Sequence, residues 1–308
     1  MAPSFRSVIS ASRRTDIPAF YMPWFMDREA RGRFDLVNPF NGRVRTFEAN
    51  PGTVHTIVFW SKNYDPFLSQ GCGEALQRRG YNLFFHFTLN SAASDLEPRL
   101  PALDARLSQL AELSQRFGPA CITWRFDPVC FYRRRGESRV RDNLGDFETI
   151  AAAAARLGLS RCTTSFVDLY PKVRRRARTQ GLEFVTPSDE KRQQALTMMV
   201  EVLAPLGIEL ATCCEARVHA ETNGLHGVQP AACIDHGLLT ALGGGGLSQR
   251  RDRGQRIKQG CGCHQALDVG DYHRHPCGHG CLFCYANPVT SEPVNQLIDE
   301  LATIKKKD

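Results

Sequence analysis

Six short apolar runs alternate with longer amphipathic stretches through residues 7–213, and this alternation limits the fold more than any other feature of the sequence. The runs are Ser7–Ser10, Thr53–Trp60, Leu83–Leu89, Ala120–Phe126, Arg161–Val167 and Ile208–Cys213. Each is nearly continuous in apolar or β-branched residues, as a strand is when both its faces are buried. Helical stretches such as Pro101–Arg116, Asp142–Leu157 and Ser188–Leu206 lie between them. Ser188 is an N-cap candidate, and Leu196, Met199 and Leu203 mark one buried face of the last. Alternating strands and helices imply a parallel sheet. No GxGxxG turn follows the first strand, which argues against a dinucleotide-binding fold. The expected class is α/β, a (β/α) barrel, partial or full, of about six βα units. Periodicity does not report closure, so an open doubly wound sheet is the alternative.

The chain of 308 residues is 42% hydrophobic and 23% charged, a balance typical of soluble globular proteins. The N-terminus lacks the apolar core of a signal peptide, and no apolar run is long enough to cross a bilayer. The expectation is a cytoplasmic protein with no membrane partner. Residues 1–232 read as the barrel. Residues 233–308 read as a cysteine-rich segment packed at its mouth, the two forming one integrated unit. The net charge of +7 gathers in arginine runs at Arg133–Arg135, Arg174–Arg178 and Arg250–Arg256. Such runs are ordinarily solvated faces; the sharper alternative is a surface for an anionic partner. The Gly243–Gly246 run lacks the GK[ST] ending of a phosphate loop and reads as a connection.

In parallel barrels the active site is built at the C-terminal ends of the strands. Here those ends carry Arg13, Arg14 and Asp16; Lys62 and Asn63; Arg125 and Asp127; and Glu215. Any strand meets polar residues where it surfaces, which accounts for some of these. It accounts poorly for Arg125, set between Trp124 and Phe126 in an apolar run. A buried arginine needs an anion, and Asp127 on the same strand face is the nearest candidate.

Twelve cysteines in a reducing compartment point to metal or redox chemistry. Cys72, Cys121, Cys130 and Cys162 are scattered and read as packing. Cys277, Cys281 and Cys284 form CxxxCxxC on one short loop, a triplet suited to three iron corners of a [4Fe–4S] cluster. Gly278 and Gly280 would let the backbone wrap a cube closely, and Phe283 could pack on a bound cofactor. The competing reading is zinc held by the triplet with His279 or a nearby histidine, although zinc modules usually bring ligands in separated pairs. A second set, Cys213, Cys233, Cys261 and Cys263, could hold another [4Fe–4S] cluster or zinc. Cys214 is set aside, because in a continuing strand it points away from Cys213.

The CxxxCxxC spacing resembles the signature of the radical S-adenosylmethionine (radical SAM) superfamily. The resemblance implies a partial or full (β/α) barrel and SAM bound at the open iron through its amino and carboxylate groups. It also implies reductive cleavage of SAM to a 5′-deoxyadenosyl radical, with electrons from a donor such as flavodoxin or ferredoxin. In that superfamily the triplet normally follows the first strand; here it follows the last. The chain is also similar to the domain-of-unknown-function 1848 family. The stretches that carry this likeness are SASRRTD from Ser10, NPF from Asn38, FWSKN from Phe59, WRFDP from Trp124, SFVDLY from Ser165, TCCE from Thr212, CID from Cys233, CGC from Cys261 and CGHGCLFCYAN from Cys277. A histidine-rich stretch from Tyr272 to Cys277 departs from that pattern and raises the question whether His273 or His275 touches the metal region.

These readings make Arg13, Arg14, Asp16, Arg125, Asp127 and Glu215 candidate catalytic residues. Lys62, Asn63 and Phe283 are candidates for cofactor binding. The substrate, a small molecule or a nucleic acid, is not legible. Two other classes compete: a metal-stabilised nucleic-acid-binding protein without radical chemistry, and a barrel hydrolase whose metals are structural.

Overall fold

A computed structural model describes residues 5–39, 41–216, 227–254, 256–286 and 288. Asn287 of the CGHGCLFCYAN stretch and residues 289–308 of the C-terminal segment lie outside the described residues. The strands, in chain order, are β1 (Ser7–Ala11), β2 (Arg33–Val37), β3 (Val44–Glu48), β4 (Val54–Ser61), β5 (Asn82–Thr88), β6 (Ile122–Val129), β7 (Phe131–Arg134), β8 (Arg141–Asp142), β9 (Arg161–Phe166), β10 (Leu182–Phe184), β11 (Glu209–Thr212), β12 (Val228–Pro230) and β13 (Leu267–Asp268). Eight of them form one parallel sheet in the order β12-β11-β9-β6-β5-β4-β1-β13. The six apolar runs are the six inner strands.

From β1 to β12 each new strand is added on the same side of the one before it. Right-handed crossovers that all step one way place their helices on one face of the sheet. The burial pattern agrees. Ile9, Ile57, Phe59, Phe85, Phe87, Trp124 and Phe126 alternate along the strands and pack with the helices Leu103–Phe117, Phe147–Arg156 and Asp189–Leu203. Ser188 caps the last of these, accepting from the Lys191 N–H. The intervening residues Val8, Val58 and Phe84 face the other way and pack with Ile234, Leu239, Leu247 and three cysteines. So the second face is covered by the chain that follows β12.

That chain then crosses to the opposite edge of the sheet. β13 pairs in parallel with β1, Ile9 opposite Leu267 and Ser10 opposite Asp268. The sheet is not closed: β12 and β13 are its edges. Both are very short, and β12 carries Pro230, as suits edge strands. Two small antiparallel sheets, β2-β3 and β10-β7-β8, sit outside the main one.

Candidate metal and cofactor site

Pairing β13 with β1 sets the loop that follows β13 beside the C-terminal end of β1. Asp16 lies at that end and caps the helix Ile17–Phe20, accepting from the Ala19 N–H. Its other oxygen contacts reach two further elements. The Ser61 hydroxyl and the Lys62 N–H donate to it at 2.7 and 2.9 Å, and His279 Nε2 lies 2.8 Å away. Asp16 therefore ties the ends of β1 and β4 to the cysteine loop, a positioning task. Asp16→Ala strands these buried donors and should cost about 3 kcal/mol in urea unfolding. An unchanged midpoint would show that the donors find other partners.

The loop is held from several sides. Arg99 Nε donates to the Gly278 carbonyl at 2.7 Å, and Tyr21 donates to the Pro276 carbonyl at 2.6 Å. Arg176 Nη1 donates to the carbonyls of Cys281, Leu282 and Cys284. Tyr285 donates to the Arg13 carbonyl. Cys281 is buried against Leu96, Cys130, Leu282 and Phe283. Beside it stands a buried ion pair, Lys62 Nζ to Glu97 Oε1 at 2.6 Å, and the Cys281 thiol contacts the same Glu97 oxygen at 3.6 Å. Burial pulls the Lys62 ammonium pKa down, but the Glu97 carboxylate outweighs it and holds it above its ordinary value. Lys62 also lies 5.2 Å from the centre of the Phe283 ring. Burial pushes all three triplet thiols up; Asp16 adds to this at Cys277 and Glu97 at Cys281. Without a cation the triplet is therefore a set of neutral thiols.

A family model described as "Domain of unknown function (DUF1848)" matches residues 8–286. The chain belongs to this family. In this DUF1848 chain the matched span runs from β1 to just past Cys284 and so contains every residue discussed here. No curated protein matches it.

The other strand ends fall into two kinds. Arg125 is buried on β6 with Nη2 2.5 Å from Asp127 and Nη1 2.9 Å from the Cys233 sulfur. Burial disfavours its charge, yet Cys233 and Asp127 raise its pKa well above the ordinary value. Trp60 stacks on His86 at 4.1 Å and lies under the Arg125 guanidinium. His86 is pushed down to about 4 by burial and by Arg125, so its ring is neutral. Arg13 pairs with Asp268 and Asp252. Glu215 accepts from the Phe166 N–H, and burial raises its pKa to about 7. Arg14 and Asn63 serve the scaffold. Arg14 donates to the Val37 and Gly270 carbonyls, and Asn63 accepts from Gln109. His275 packs between Tyr21 and Trp24 and closes a turn with Asp271; His279, not His275, meets Asp16.

Cys213, Cys233, Cys261 and Cys263 do come together, and Cys214 joins them. The Cys213 sulfur is 3.5 Å from that of Cys233 and 3.7 Å from that of Cys214. Cys261 contacts Cys214 and Cys263, and Cys263 contacts Cys233. β11 ends at Thr212, and Cys214 has φ of 62°, which turns its side chain back toward Cys213. Among the described residues no group of three or more His, Cys, Asp and Glu side chains is disposed to hold a metal ion as it stands. Sequence reasoning also missed Glu97, Arg99 and Arg176, which lie in a loop or within an arginine run that looks solvated. Among the described residues no helix is long and apolar enough to cross a membrane.

Proposed function

We propose that the chain is a radical SAM-type iron–sulfur enzyme built on a partial (β/α) barrel, with Cys277, Cys281 and Cys284 as the ligands of its [4Fe–4S] cluster. The observation that carries this reading is the pairing of β13 with β1. It sets the triplet beside the end of the first strand, where the superfamily it resembles keeps its own, although the triplet comes last in this sequence. The donor set supports the reading. Three thiols on one loop, Cys281 buried and Cys277 and Cys284 partly so, are held above the ordinary thiol pKa by their surroundings, and a cationic metal group is what would make thiolates of them. The Nδ1 atom of His279, within the same loop, is buried with no partner among the described residues.

A cluster held there, with SAM, would supply one-electron cleavage of SAM to methionine and a 5′-deoxyadenosyl radical. The chain's own residues have definite tasks around it. Arg99, Arg176 and Tyr21 fix the loop through its carbonyls. Lys62 and Glu97 form an ion pair beside Cys281 whose members would exchange partners with the carboxylate and amino groups of SAM. Phe283 and the apolar wall behind Cys281 exclude water. Substrate and physiological donor, flavodoxin, ferredoxin or another carrier, follow from none of these contacts.

The test is electron paramagnetic resonance of protein purified without oxygen and reduced with dithionite. A reduced-cluster signal should appear and change on addition of SAM, and Cys281→Ala should lack both. A wild-type signal indifferent to SAM would remove the open-iron assignment.

A further inference from the structure

Five thiols from three separate stretches meet on the sheet face opposite the helices Leu103–Phe117, Phe147–Arg156 and Asp189–Leu203: Cys213 and Cys214 after β11, Cys233 after β12, and Cys261 and Cys263 before β13. They lie in a different packed cluster from Cys281 and Phe283. We propose that they form a second, independent metal site for one four-coordinate, thiolate-preferring ion of the zinc class. Its role is to fasten the chain that crosses from β12 to β13. The proposal does not rest on the triplet binding a cluster.

The spacing favours a single ion. A tetrahedral ion with metal–sulfur bonds of about 2.3 Å holds its thiolates about 3.8 Å apart. Between the proposed ligands Cys213 and Cys233 the sulfurs lie 3.5 Å apart. A [4Fe–4S] cube puts each thiolate on a different iron corner and so holds the sulfurs farther apart. Thiolate softness selects zinc-class ions over hard cations. As they stand these side chains are not disposed to hold an ion, so binding requires the thiols to rearrange about it.

Charge is the second argument. Four thiolates about a dication carry a net charge of −2. Arg125 donates to the Cys233 sulfur at 2.9 Å, Arg256 faces Cys213 and Cys214, and Arg13 faces Cys263. Guanidiniums from three different stretches thus stand near the sulfurs, each also paired with a carboxylate: Arg125 with Asp127, Arg256 with Asp168, and Arg13 with Asp252 and Asp268. Backbone geometry accounts for the fifth sulfur. Cys214 is the one non-glycine residue with positive φ among the described residues. That conformation is unfavourable for a residue with a side chain, and here it returns a fifth sulfur to the group. Five thiols are one more than a tetrahedral ion needs, and half-buried Cys214 is the natural spare.

The fold gives the site its task. The sheet is open between β12 and β13, and the crossing chain has only short ladders at either end. An ion held by β11, by the start of the crossing and by its last loop would replace the hydrogen-bonded closure of a complete barrel.

The experiment uses the full chain with Cys277, Cys281 and Cys284 all changed to Ser, so that the triplet binds nothing. Purified without oxygen, it should hold one zinc per chain, and Co(II) in its place should give the absorption of a tetrahedral thiolate site. Cys261→Ser in that background should weaken zinc binding by at least tenfold, and Cys214→Ser should keep the stoichiometry. If the triple variant does not fold, the count is made on wild-type protein and on Cys261→Ser alone, which should hold zinc at least tenfold more weakly at one site per chain. Folded protein without zinc, binding unaffected by Cys261→Ser, loss of zinc in Cys214→Ser, or four irons with sulfide at this site would each overturn the proposal.

Discussion

Cys281→Ala should yield a folded protein that makes no 5′-deoxyadenosine. The thiol is buried against Leu96, Cys130 and Phe283, and its loss removes about one methylene's worth of packing, roughly 1 kcal/mol. Stability therefore changes little. The effect on the metal is much larger. Cys281 is the middle cysteine of the triplet, and its carbonyl is one of those gripped by Arg176. Losing a residue that merely supports a metal ligand costs about 10–100-fold. Losing the ligand itself should cost more than about 100-fold in SAM cleavage and most of the iron at this loop. The checks are iron per chain and 5′-deoxyadenosine formed under dithionite. Cleavage at the wild-type rate would show that the triplet is not the catalytic ligand set.

Arg125→Leu should give the largest loss of stability. The guanidinium is buried and bonded to both Asp127 and the Cys233 sulfur, and it covers the Trp60 ring. Removing one partner of such a group leaves an uncompensated anion, at a cost of about 3–5 kcal/mol. The Asp127 side chain is 21% exposed, so water reaches it and the lower end of that range applies. Urea unfolding measures the loss. Adding Asp127→Leu should recover part of it, because the stranded carboxylate is then gone. Wild-type stability in Arg125→Leu would show that the ion pair contributes nothing to the fold.

The six inner strands were legible because each is buried on both faces and so reads as a continuous apolar run. Arg125 stood out for the same reason, as a charge inside such a run. β12 and β13 were not legible. They have three and two residues, and their partners are set by the crossover, not by their own pattern. That β13 lands beside β1 is a property of topology, and it removes the oddity of a triplet placed last in the chain. Setting Cys214 apart from Cys213 requires β11 to continue; the strand stops at Thr212 and the backbone reverses. Arg176 was lost among its neighbours. Arg174, Arg175 and Arg178 are exposed, as the run suggested, while Arg176 alone turns inward to the cysteine loop. Helical phase separates them, and an arginine run carries no apolar marker of that phase. Glu97 lies in the loop after β5, where nothing in the sequence signals its burial beside Lys62.

The most direct measurement is the yield of 5′-deoxyadenosine from wild-type protein prepared without oxygen and given dithionite and SAM, beside a count of iron and sulfide. Radical SAM-type chemistry at the triplet predicts about four irons at that loop, 5′-deoxyadenosine in the wild type, and neither in the variant with all three triplet cysteines changed to Ser. Iron-supplied protein that holds no iron at the triplet, or holds it and leaves SAM intact, would contradict the account.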